Sequence, residues 1–179
     1  MKNREENIGV IYEKKDYAGF LKRVVIAMID IVVIAAVSAC GSYFVDSFFS
    51  FEETHHKFNF IFIVAFSITY LAILKRSKFR TVGYLLARVK IVDLKGERPS
   101  VFKMILRELL ILLGPFELFT DIVWLTSEAT KQTLRDKYVG TYVIRQNAIP
   151  VGKGRLQNVS LGFMGWNLVY REVQESQIK

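Results

Sequence analysis

Two long apolar blocks dominate the first half of the chain. Val24 to Val45 reads VVIAMIDIVVIAAVSACGSYFV, with Asp30 as its one formal charge, and Phe58 to Leu74 reads FNFIFIVAFSITYLAIL. About 20 apolar residues carry a helix across a ~30 Å hydrocarbon core, so the first block has spanning length and the second is near the short limit. A polar stretch from Asp46 to Lys57 separates them, and Phe48, Phe49, Phe51, Phe58 and Phe60 gather there as aromatics do at membrane interfaces. A third block, Val101 to Leu125, is apolar overall but carries Lys103, Arg107, Glu108, Glu117 and Asp121 and is broken by Gly114-Pro115. Charges at a bilayer centre cost roughly 2.5–3.5 kcal/mol each, which argues against a straight span. The block reads as one kinked crossing or as two half-length pieces that dip in and return. Either uses the break that proline makes in a helix.

Between these blocks the period changes. Ala87 to Asp93 (ARVKIVD) alternates like a strand, Asp93-Leu94-Lys95-Gly96 is a turn signal, and Ser100 is placed to cap a helix beginning at Val101. Thr141 to Arg145 (TYVIR) is a further strand, able to pair with Arg88 to Val92, and residues 161–171 read as a strand or an interfacial anchor. The pattern predicts an all-α membrane bundle: transmembrane helices at about 24–45 and 58–74, a kinked or re-entrant third block at 101–125, and a small cytoplasmic β-hairpin or sheet element. Residues 1–16 are expected as an N-terminal tail, 17–145 as the membrane domain and 146–179 as a C-terminal tail.

Charge fixes an expected orientation. The chain carries 25 Lys and Arg against 17 Asp and Glu, a net charge of +8. The cations flank the first block on its N-terminal side and the second on its C-terminal side, whereas Lys57 is the one cation of the 46–57 connection. Cytoplasmic flanks of spans are enriched in Lys and Arg, so the N-terminus is placed in the cytoplasm and the connection outside. The basic tail favours a cytoplasmic C-terminus. This placement explains the surplus through the lipid bilayer as partner, without nucleic acid.

Little in the sequence points to catalysis. Cys40 is the lone cysteine, and His55 and His56 lie in a polar stretch without the convergent ligands a zinc site needs. There is no phosphate-binding glycine loop and no nucleophile elbow, so no enzyme activity, metal or cofactor is expected. Val37-Ser38-Ala39-Cys40 has the form of a lipoprotein cleavage box, but the long polar leader and Asp30 disfavour processing, and a small-residue packing patch is the better reading. Asp30 is the most informative residue, because a carboxylate inside a span is costly unless it faces protein, water or a cation. Arg23 lies two turns earlier on the same helical face, with its backbone ~10 Å away, so each should find its partner on another segment. Arg107 and Asp136 are candidates. Asp30 reads either as a proton or cation site or as a buried contact that locks helix packing.

Four stretches together resemble a known family: Ala18-Gly19-Phe20 with Arg23 and Asp30; Arg80-Thr81-Val82-Gly83 running into Arg88–Ser100; Arg107-Glu108-Leu109-Leu110; and Thr133-Leu134-Arg135-Asp136 followed by Gly140-Thr141. In this order and spacing they resemble the RDD family of bacterial membrane proteins over roughly residues 17–145. Val82 stands where that family usually has proline, and Tyr84 where it usually has lysine. The resemblance implies a multi-span domain in the bacterial cell membrane, with Arg23, Asp30, Arg107 and Asp136 as motif residues and a link to cation/proton exchange in some members. Two functions stay open. One is ion or proton transport, which with so few spans requires a homo-oligomer or a partner membrane protein. The other is a non-transporting scaffold or adaptor that recruits a cytoplasmic partner or anionic lipid.

Overall fold

The computed structural model describes residues 7–48, 52–110, 130–163 and 166–175. Helix α1 (Phe20–Phe48) and helix α2 (Glu52–Ile68), the latter continued by a π-helical turn (Thr69–Leu74), form an antiparallel hairpin. The direction follows from the pairs that meet: Gly41 packs on Phe62, and Asp30 bonds Tyr70. Phe20–Phe44 and Lys57–Leu74 are long and apolar enough to cross a membrane, and only 11% of each apolar window is buried. That figure separates them from the core helices of a soluble protein. Val25, Ile31, Val32, Phe60 and Ile61 all stand exposed, an apolar surface that water does not tolerate at this scale.

The remaining elements form a mixed body at one end of the hairpin. They are β1 (Ile8–Ile11), α3 (Val82–Leu86), β2 (Val89–Asp93), α4 (Val101–Leu109), α5 (Leu134–Val139), β3 (Thr141–Arg145), β4 (Gly152–Phe163) and β5 (Trp166–Glu175). Strands β2 and β3 pair antiparallel from Val89↔Arg145 to Asp93↔Thr141, and β1, β4 and β5 make a second antiparallel sheet in that order. The sheets are joined where the Val10 amide donates to the Leu94 carbonyl at 2.8 Å. Tyr12, Tyr17 and Tyr142 meet edge-on in one cluster with Val92, Leu94 and Ile144, while Ile26 of α1 packs in a second with Ala72, Tyr84, Val89, Met104 and Val143.

The fold is therefore not all-α. The expected β2–β3 pairing is present, and Ser100 caps α4 by accepting from the Lys103 amide at 3.2 Å. The segments expected as tails instead pair with each other through β1 and β4. The strand character of β4 was hidden because two of its inward positions, Gly152 and Gly154, carry no apolar side chain, so the burial that alternates with exposed Lys153, Arg155 and Gln157 leaves little mark in the sequence. Helical backbone also extends into the stretch expected as a loop: α1 runs to Phe48 and α2 starts at Glu52, so His55 and His56 belong to a helix. Of the third block, Val101–Leu109 is a short helix, and residues 111–129, with Gly114-Pro115, Glu117 and Asp121, lie outside the described residues.

Candidate functional site

The site is built from the smallest helix outward. Thr133 caps α5 and Asp136 returns the bond: the Asp136 amide donates to Thr133 Oγ1 at 3.1 Å and the Thr133 amide to Asp136 Oδ2 at 3.4 Å. This reciprocal capping box fixes the carboxylate of a short helix that would otherwise fray. Asp136 is 0% exposed, and two guanidiniums converge on it. Arg23 Nη1 donates to Oδ2 and Arg107 Nε to Oδ1 at 2.6 Å, with the Thr141 hydroxyl adding a bond to Oδ1 at 3.3 Å. Arg23 spends its other donors on the carbonyls of Ala18 (3.0 Å) and Lys131 (2.8 Å). Arg107 Nη1 continues to Glu108 Oε1 at 3.3 Å, and Lys75 Nζ donates to the same oxygen at 3.0 Å.

The result is an alternating series, Arg23–Asp136–Arg107–Glu108–Lys75, that ties α1, α4, α5 and the end of the π-turn together. Burial works against the charges of Asp136, Arg107 and Glu108. For Asp136 that penalty is overcome by Arg107 and then Arg23, which hold the carboxyl below the usual carboxylate range. Burial likewise opposes the Arg107 charge, but Asp136 leads the groups that raise its pKa above the ordinary value. Lys75 and Arg107 lower Glu108 against the same opposition from burial. Ions taken out of water this way are stable only as a set, since a lone survivor keeps its desolvation penalty.

Asp30 forms a separate cluster. It is 3% exposed and accepts three hydrogen bonds: from the Tyr70 hydroxyl at 3.0 Å, the Thr81 hydroxyl at 2.9 Å and the Gly83 amide at 2.9 Å. Tyr70 sits in the π-turn, and its oxygen in turn accepts from the Val82 amide at 3.0 Å. Thr81 is the N-cap of α3, so Asp30 holds the start of that helix against α1. Gly83 permits the approach, because a Cβ there would lie 2.6 Å from the Ile26 carbonyl oxygen and 2.8 Å from Asp30 Oδ1. Among the described residues, no cation reaches the Asp30 carboxylate.

Arg23 and Asp30 thus each find partners on other segments. Arg107 and Asp136 come together with Arg23, and neither touches Asp30. Tyr70, Thr81, Gly83, Thr133, Glu108 and Lys75 complete the two clusters and were not singled out as site residues. Thr81-Val82-Gly83 and Thr133-x-x-Asp136 were visible as motif and capping signals, whereas Tyr70 was one hydroxyl in an apolar run.

Apolar helices that expose their sides, joined to a body that buries a series of ion pairs, define a membrane protein. Residues 17–140 match the RDD family, and the chain belongs to that family. No curated protein and no solved structure matches the chain.

Proposed function

We propose that the protein is a two-span anchor in the bacterial cell membrane, with a cytoplasmic N-terminus and a cytoplasmic α/β body that serves as a scaffold or adaptor. The observation that carries this reading is that all four motif residues are committed inside the fold. Arg23 and Arg107 share the Asp136 carboxylate out of water, and Asp30 accepts three hydrogen bonds from its own chain. A transporting carboxylate has to exchange such partners for an ion or proton that reaches it from either side. The sides of α1 and α2 are covered by lipid or by further copies of the chain.

Transport by an oligomer is the second reading. It is favoured by the position of Tyr70, which meets Asp30 from a π-helical turn, a distortion that recurs at functional sites. Proteoliposomes separate the two. The scaffold reading expects cation-dependent proton flux no greater than that of protein-free vesicles. Flux that is present in the wild type and lost in a folded, monodisperse Asp30→Asn variant establishes transport instead.

A further inference from the structure

A cleft of about 340 Å³ opens where α2 leaves its apolar stretch. Six cations line it, Lys75, Arg76, Lys78, Arg80, Lys90 and Arg98, against the single acid Glu97. They come from three separate segments: the loop after the π-turn, strand β2, and the turn that follows β2. Two of the six are already engaged. Lys75 pairs with Glu108 and lies 5.6 Å from the Tyr84 ring centroid, and Arg80 Nη1 donates to the Val89 carbonyl and to Gln146 Oε1, each at 3.0 Å. Arg80 also holds a left-handed backbone at φ 56°, a conformation that persists only where the surroundings impose it. Arg76, Lys78, Lys90 and Arg98 have no carboxylate within ion-pair distance among the described residues. Like charges converging on one concavity focus a positive potential that an anion relieves.

The height of the cleft narrows the choice of anion. Leu74 ends the second candidate span, and the next residue already lines the cleft. Phe79, in the same loop, is 76% exposed, and Phe102, Leu106 and Leu109 lie exposed along one face of α4. Apolar side chains beside a row of cations fit the boundary between acyl chains and phosphates. Guanidinium groups present planar forks of donors matched to phosphate oxygens, and lysines add mobile point charges.

From this we infer that the cleft is a phosphate site, filled in the membrane by the headgroup of an anionic lipid. The inference deepens the anchor reading, on which it rests for the position of the cleft against the bilayer. The test uses the full chain in nanodiscs of phosphatidylcholine with or without phosphatidylglycerol, scoring retained lipid by native mass spectrometry. A second arm titrates inorganic phosphate in phosphatidylcholine alone. The wild type should retain phosphatidylglycerol preferentially. In R76Q/K78Q/K90Q/R98Q the preference should fall by more than about tenfold, since each basic residue near an anionic surface contributes roughly fivefold. K14Q/K153Q/R155Q/R171Q, which removes four exposed cations elsewhere, should keep it.

Cleft-dependent phosphate binding without lipid preference keeps the phosphate site and assigns its occupant to the aqueous phase. Equal loss in both variants, or neither lipid preference nor phosphate binding in the wild type, overturns the inference. Should the quadruple variant misfold, R76Q/K78Q and K90Q/R98Q carry the same test in pairs. None of these outcomes bears on proton flux, so the scaffold reading stands or falls separately.

Discussion

At the scale of single residues, the two aspartates do different work. Asp136 is the carboxylate that two buried guanidiniums share, so Asp136→Asn leaves Arg23 and Arg107 charged and short of a counter-ion. The expected loss is about 3–5 kcal/mol, the range for breaking a buried pair by removing one partner, measured as a drop in thermal midpoint in detergent. Because the Asp136 pKa is depressed in the folded state, its contribution is fully present above the unfolded value of about 4. It is lost as pH falls from there through the folded value. Thermal midpoints should therefore show no titration from this group between about pH 5 and 8 and should fall on acidification below about 4. A wild-type transition centred near neutrality that Asp136→Asn abolishes contradicts this assignment. Asp30→Asn keeps the shape but presents an NH2 group to a site whose three partners all donate. Its cost should be smaller, about 1–3 kcal/mol, as for a buried hydrogen bond left unmade. Asp30 announced itself in the sequence by its apolar surroundings. Asp136 was legible only as one candidate partner, not as the partner of Arg23 in particular, because nothing local joins residues 113 positions apart.

At the scale of elements, α4 buries both an apolar side chain and a charge on its inner side and is apolar on its outer side. Met104 and Arg107 are buried, while Phe102, Leu106 and Leu109, four and then three residues apart, stand exposed. The sequence showed charges spread through an apolar block and so raised the question of a span. The contacts resolve the described part: Arg107 and Glu108 turn inward to Asp136 and Lys75, leaving the apolar face outward. Burial direction is a tertiary fact, and periodicity alone could not supply it. The α3 contact is tight enough to be tested by one methyl group. Gly83→Ala should drive α3 from Asp30 and Ile26 at a cost of about 1–3 kcal/mol, the usual range for overpacking. An unchanged thermal midpoint refutes the close approach. Strand β2 and its turn were legible because alternation and an Asp-x-x-Gly signal coincide; the Asp93 side chain accepts from the Lys95 and Glu97 amides, each at 2.9 Å. Strand β1 has four residues, too few for a pattern to stand out.

At the scale of the molecule, the lone thiol is a ready probe of the membrane reading. Cys40 is exposed on the protein surface and lies within the first candidate span. In liposomes it should resist a membrane-impermeant maleimide, while a Ser47→Cys probe in a Cys40→Ser background, at the far end of α1, should react. Rapid labelling of Cys40 in sealed vesicles places that helix in water and removes the span. The two apolar helices were legible from length and composition. The joining of β1 and β4 in one sheet was not, because most of the chain separates them and β1 is only 4 residues long.

The distance along the chain between Arg23 and its carboxylate also sets an order of events during synthesis. Arg23 leaves the ribosome more than a hundred residues ahead of Asp136, and Arg107 precedes Asp136 by 29. Until α5 emerges, both guanidiniums must stay hydrated, so α1 enters the bilayer with its first turns still in water. The last of the three to be made closes the joint, and only then can the elements it ties together pack.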